Sequence, residues 1–333
     1  MKKMLATALI CLMALTALGQ RNATLNWFGY VRSGYHYTID EDAGNTNEFD
    51  IILTCIGLLA NINEYSEVFL FAFADYPAVS SISFEDSTTA SKKYFGILDA
   101  EVRFKPVEGL RLGFGQFITP FADEHFKSAS FTDFIDRGYV VRNSPPYRDI
   151  GAYARYHHSL VTVQASVTNG SGMNTFDNNN AKNLSGWAQV RPLEGFSLMG
   201  GLSIGKDNAP EDLAEDLRFY SGGIGYQYGG LSLMGETSFK DYKGNTKGAL
   251  YASGLYDFKI NHDLLHWVTP AFRFDFLDFA DDNRMDRMTF GLAFGFDERS
   301  KWLSMFRVNY ELVNSKEGNQ PDNLSFEFQM RFD

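Results

Sequence analysis

The sequence predicts an all-β fold, a transmembrane antiparallel β-barrel of about sixteen strands, and three features carry that reading. Apolar and polar residues alternate over segments of about ten residues, the length at which a tilted strand crosses a bilayer. The connections between those segments are short and long by turns. Aromatic residues make up 15% of the 333 positions and charged residues only 21%, a profile richer in aromatics than ordinary soluble domains. A membrane helix is not expected, because the longest nearly unbroken apolar run, Ile51 to Ala60, is about half the length a helical span requires. The mean hydropathy of -0.23 leaves a barrel open, since a barrel distributes its apolar face over alternate positions.

At the N-terminus Lys2 and Lys3 precede an apolar run from Met4 to Leu18, and Ala17 and Gly19 supply small residues for a signal peptidase. This predicts a signal peptide over residues 1–19, cleaved after Gly19, and a single barrel domain over residues 20–333. Ile10 stands before Cys11 where lipid attachment needs a small residue. After cleavage Cys55 is the only cysteine, so no internal disulfide can form. No linker rich in Pro, Gly or Ser divides the mature chain.

Strand periodicity is clearest where Leu98, Ala100, Val102 and Phe104 alternate with Asp99, Glu101, Arg103 and Lys105, and where Val161, Val163, Ala165 and Val167 alternate with polar residues. Each such segment has one oily and one wet side. The rhythm recurs at Leu110 to Phe114, Ile150 to Tyr156, Phe196 to Gly205, Phe272 to Leu277, Met288 to Phe296, Phe306 to Leu312 and Leu324 to Phe332. Weaker segments near Trp27 to Tyr37, Phe49 to Asn61, Glu67 to Asp75, Gly186 to Arg191, Arg218 to Tyr228, Leu231 to Lys240 and Ala249 to Phe258 bring the number to about sixteen, an even count as bacterial barrels require. Connections such as Asn63 to Ser66 and Gly229 to Gly230 are short, while Thr38 to Glu48, Thr119 to Arg148 and Gly170 to Asn183 are long and polar. Short periplasmic turns and long external loops are the asymmetry of outer-membrane barrels.

The third external loop, Thr119 to Arg148, is too long for a plain connection. Its segment from Ala122 to Arg137 places Phe126, Phe131, Phe134 and Ile135 at spacings of short helical turns, and these apolar side chains need a partner surface. Sixteen strands about 4.8 Å apart and tilted about 40° enclose roughly 20 Å once side chains are counted, against a screening length of about 8 Å. Selectivity therefore requires the loop inside the barrel, with Asp123, Glu124, His125, Lys127, Asp133, Asp136, Arg137 and Arg142 expected to face wall arginines.

The polar side of each strand is read as lumen, because Arg or Lys on the lipid face costs roughly 2–4 kcal/mol at the midplane. That puts Arg32, Arg103, Lys105, Arg111, Arg155, Arg191, Lys240, Arg273, Arg307 and Arg331 inside, against Asp99, Glu101, Glu236, Asp257, Asp275, Glu311 and Glu327. Ten basic side chains then face seven acidic ones, although the chain carries a net charge of -11. For any one arginine the plain reading is a lumen residue paired to a neighbouring carboxylate, as Arg103 to Glu101 or Arg273 to Asp275.

The segment LRLGFGQFITPFADEHFKSASFTDFIDR, followed by Arg148-Asp149-Ile150-Gly151 and Thr168-Asn169-Gly170, resembles the phosphate- and polyphosphate-selective porins of Gram-negative outer membranes. The resemblance implies a sixteen-stranded, usually trimeric barrel whose third loop narrows the channel and whose basic rows select anions. The expected function is passive diffusion of small hydrophilic solutes across the outer membrane, anions such as phosphate or polyphosphate among them. The expected partners are membrane lipid, the solutes, a homotrimer and the barrel assembly machinery, without nucleic acid, cofactor or metal. A general non-selective porin, a barrel enzyme and an exported glycan-binding β-sandwich are the alternatives. His157 and His158 sit in a short turn away from any nucleophile, so no catalytic set is expected. Gly222, Gly223 and Gly225 precede no helical pattern and read as strand glycines rather than a phosphate loop.

Overall fold

The computed structural model describes residues 23–40, 42–74, 95–279, 283–316, 318 and 320–333. The expected signal peptide lies outside the described residues. One antiparallel sheet closes on itself. Its strands are β1 (Thr24–Ile39), β2 (Thr46–Asn61), β3 (Ser66–Ala74), β4 (Phe95–Phe104), β5 (Leu110–Ile118), β6 (Arg148–His157), β7 (Val161–Thr168) and β8 (Asn183–Leu193). They continue as β9 (Phe196–Lys206), β10 (Asp216–Tyr228), β11 (Leu231–Tyr242), β12 (Asn245–Tyr256), β13 (Trp267–Phe279), β14 (Asn283–Gly295), β15 (Ser304–Ser315) and β16 (Asp322–Phe332). Phe258–Lys259 extends β12 past Asp257 and pairs with the start of β13. The expected sixteen-stranded barrel is therefore present.

Every strand pairs with its sequence neighbours, and β1 pairs with β16 from Gly29 opposite Phe332 to Ile39 opposite Asp322. Closure removes both edges, so the spanning segments pair their backbone groups along a continuous sheet, as hydrocarbon demands. The side-chain alternation is inverted relative to a soluble protein. Val102 and Phe114 are 61% and 62% exposed on the outer face, whereas Arg307 and Glu327 are fully buried on the inner one. That inversion follows from the solvent: lipid covers the outside, and an interior of water and polar groups takes the charges.

Between β5 and β6 the chain leaves the wall and carries three short turns, α1 (Asp123–Phe126), a 3-10 turn over Ala129–Phe131, and α2 (Tyr139–Arg142). Its departure is prepared at Gly115, whose φ of 128° is open to glycine and where a Cβ would lie 1.9 Å from the Ala100 carbonyl oxygen. Gln116 then ties β5 to its neighbour by donating to the Ile97 and Leu98 carbonyls at 2.8 and 2.9 Å. The main buried apolar cluster joins Phe121, Ala122, Tyr139 and Val140 of this loop to Phe219, Ala249, Tyr251 and Leu277 of the wall. The third loop is thus folded inward, as its aromatic content requires.

Candidate functional site

The inserted loop is held by its backbone. Peptide groups removed from water need partners, and the wall supplies both kinds. Arg32 donates to the Ile135 carbonyl at 2.8 Å, Arg273 to Asp136 at 2.8 Å, Arg287 to Arg137 at 2.7 Å, and Arg307 to Thr132. Carboxylates receive the amides. The Glu236 carboxylate accepts from the N–H groups of Asp123 at 2.6 Å and Glu124 at 3.0 Å, and Asp275 accepts from Tyr139 N–H at 3.0 Å. The anchoring charges also pair with each other: Arg32 and Arg307 share Glu327, Arg273 and Arg287 share Asp275, and Arg287 reaches Glu311 at 3.1 Å.

The loop aromatics find the surfaces they lack in sequence. Phe126 meets the Trp187 ring edge-on at 4.9 Å, Phe131 meets Trp302 at 5.9 Å, and the Arg273 guanidinium lies 4.5 Å from the Phe134 centroid. The expectation that the charged loop residues face wall arginines is corrected for Asp123, Glu124, His125, Lys127 and Arg137, whereas Asp136 acts electrostatically on Arg32 and Arg287 and Asp133 on Arg307. His125 is fully buried, 4.7 Å from the Tyr147 ring and near Thr119 Oγ1. Burial, with Arg137 nearby, pushes its pKa down to about 3. Arg137 staples the loop to itself by donating to the Glu124 and Lys127 carbonyls and the Tyr147 hydroxyl. Lys127 pairs with Asp123 and Glu124 at 3.6 and 3.5 Å, Asp133 with Lys301 at 3.1 Å, and Arg142 lies over the Tyr139 ring. Asp136 contributes its carbonyl rather than its carboxylate to Arg273. The physical reason for the five corrected residues is that desolvating the loop makes each take a partner within it, leaving loop carbonyls to the wall arginines.

Because the loop lies against β8–β16 and β1, the remaining gap is bordered by β1, β3 and β4–β7. A cavity of about 360 Å³ lies there between loop and wall, and another of about 620 Å³ at the end with the short turns. The predicted wall residues divide accordingly. Arg32, Arg273 and Arg307 are lumen-side but sealed beneath the loop, a correction to their expected place beside water. Arg103, Lys105, Arg111, Arg155 and Arg191 form a strip on β4–β8 and the adjoining turn. Glu67 serves Lys105, Arg103 and Arg111 at 2.7, 3.5 and 3.6 Å, and Glu101 pairs with Arg103 at 2.7 Å. Among the described residues no carboxylate is within ion-pair distance of Arg155 or Arg191. Within ion-pair distance these five basic groups meet two carboxylates, Glu67 and Glu101, and Glu64 and Glu108 border the cavity at the short-turn end. Arg111 and Arg155 stand directly opposite each other in the β5–β6 register. Lys240 sits over the Phe219 and Tyr242 rings, and Arg331 over Phe131 at 3.9 Å.

Two buried arginines, the loop anchor Arg287 and Arg148 at the start of β6, are not in the expected set. Arg287 lies just before the strand start read at Met288, and continuing the alternation back from Thr289 would have found it. Arg148, paired with Asp99 at 3.0 Å, was visible in the sequence but not as a wall residue.

Residues 24–332 match the profile of the beta-barrel porin-2, OmpL-like family. The chain belongs to that family. As a porin-type barrel of the outer membrane, it is similar in fold to the anion-selective porin from Comamonas acidovorans, at 12% identity over 93% of this chain and 100% of that one, with a TM-score of 0.68. Salmonella typhi OmpF in complex with daunomycin is 13% identical over 92% and 97%, with a TM-score of 0.65. The trimer form of Vibrio cholerae OmpT is 12% identical over 93% and 99%, with a TM-score of 0.63. At these identities the likeness is one of fold. No curated protein matches the porin in sequence. The description of the matched family carries no statement about the phosphate- and polyphosphate-selective porins that the third loop resembles.

Proposed function

We propose that this porin conducts small hydrophilic solutes by passive diffusion and prefers anions. The observation that carries the proposal is the basic strip of Arg103, Lys105, Arg111, Arg155 and Arg191 on the wall facing the gap left by the loop, in which Glu67 and Glu101 pair with the first three and, among the described residues, no carboxylate pairs with Arg155 or Arg191. Local charge governs ion choice there, since carboxylates more than about 8 Å away are screened at physiological salt. The chain's -11 is thus a poor guide to the channel. Phosphate is the natural solute consistent with the sequence resemblance. A homotrimer agrees with the trimer form of the Vibrio relative, and export by a signal peptide cleaved after Gly19 agrees with the N-terminal sequence.

Neutralising the strip tests this reading. In planar bilayers under a salt gradient, Arg111→Gln, Arg155→Gln and Arg191→Gln combined should move the chloride-to-potassium permeability ratio toward one or below it. An unchanged ratio in a folded variant would remove the strip from the selectivity.

A further inference from the structure

We propose that the gap holds a binding site for organic anions with a flat apolar face, a class represented by arylcarboxylates, so that the solute is sorted by shape as well as by sign. The proposal rests on the anion preference above and adds what the rest of the cavity is made of. The 360 Å³ cavity is bordered by Phe28, Phe69 and the loop's Phe131 together with Arg103, Arg111 and Arg155, and the two carboxylates in its lining, Asp99 and Glu101, are paired to Arg148 and Arg103.

Aromatic rings on the inside of a barrel wall are unexpected, because the interior is in contact with water and is ordinarily polar. Here they form a continuous surface. Phe28 and Phe69 stack at 5.6 Å with an interplanar angle of 11°, and Phe28 lies 5.4 Å from Phe71, which in turn meets Tyr30 at 6.2 Å. Rings that only fill space are sealed, as the loop's Phe121 is against Phe219 of the wall. Phe28 and Phe69 are half-buried and Phe131 is exposed, and all three border the cavity. The cationic groups are interleaved with them: the Arg103 guanidinium carbon is 3.9 Å from the Phe69 centroid, and that of Arg155 is 5.8 Å from Phe126.

This combination discriminates in a way neither half does alone. A carboxylate beside guanidinium groups gains charge-assisted hydrogen bonds, and an apolar face against stacked rings is withdrawn from water with an offset or edge contact. A small inorganic anion uses only the first, and a neutral arene only the second. The volume is at the small end of ligand cavities, which suits a single ring with a carboxylate and not a chain of sugars.

The test is block of chloride current through the folded porin in planar bilayers by benzoate, acetate and benzyl alcohol, with the reversal potential recorded on the same membranes. Benzoate should block at a concentration about tenfold below acetate, the factor expected from one aromatic contact, and well below benzyl alcohol. Phe28→Leu combined with Phe69→Leu should bring the benzoate and acetate values together, in protein whose folding is verified by its heat-modifiable gel migration. Equal block by benzoate and acetate, or by benzoate and benzyl alcohol, overturns the site, as does a folded double variant that keeps the tenfold ratio. Anion preference without benzoate block overturns this site alone. Cation preference overturns the proposed function, and a tenfold benzoate advantage in the same recording would still place an aromatic anion site in the gap.

Discussion

At the scale of single residues, the wall arginines do two different jobs that the sequence does not separate. Parity along the strands places Arg32, Arg307 and Arg155 on the same inner face, and that much follows from a period of two. Which of them touches water depends on where a loop about a hundred residues away in sequence comes to rest, as the Arg32 contact to Ile135 shows. Glu327 is the clearest anchoring case, since Arg32 and Arg307 both depend on it. Removing one partner from a buried set leaves uncompensated charge and costs about 3–5 kcal/mol. Glu327→Gln should therefore lower the urea midpoint of the reconstituted barrel and expose the third loop to protease, and a midpoint equal to that of the parent would remove Glu327 from the anchor. Arg155 lies at the other extreme. Its place opposite Arg111 is a like-charge cross-strand pair, which destabilises by roughly 0.2–1 kcal/mol. A position that weakens the sheet is understandable if it serves the channel, so Arg155→Gln should stabilise the barrel slightly while reducing anion preference. Unfolding curves and reversal potentials on one preparation check the two effects together.

At the scale of elements, the barrel strands and the inward path of the third loop were legible because each follows from a local pattern. Leu98 to Lys105 announces its two faces without reference to any other segment, and Phe126, Phe131 and Phe134 announce that a buried partner is needed. The loop's docking was not legible. Backbone carbonyls are the same at every residue, so no pattern marks Thr132, Ile135 and Asp136 as the ones the arginines meet. For that reason its charged side chains are expected at the wall, whereas Lys127, Asp123, Glu124 and Arg137 are satisfied within the loop. The strands close through their own hydrogen bonds, independently of the loop. Deleting residues 126–134 should thus leave a heat-modifiable barrel and raise single-channel conductance several-fold, and an unchanged conductance would mean that the loop does not fill the lumen.

At the scale of the whole molecule, closure of β1 on β16 is the step that makes a barrel from a sheet. Phe332 lies at its end, half-exposed on the outer face, and its ring covers Gly29 so closely that a Cβ there would come within 2.8 Å of it. Phe332→Ala should reduce the fraction of folded barrel recovered from outer membranes, and equal amounts of heat-modifiable protein would deny the residue that role. Net charge is the whole-molecule property that misleads most, because the interior sets ion choice and most of the carboxylates near water lie elsewhere. The reversal potential of the unmodified porin across a salt gradient decides between the two directly. A potential of the sign set by chloride, shrinking as ionic strength rises, is the predicted result, and a potential of the sign set by potassium would contradict it.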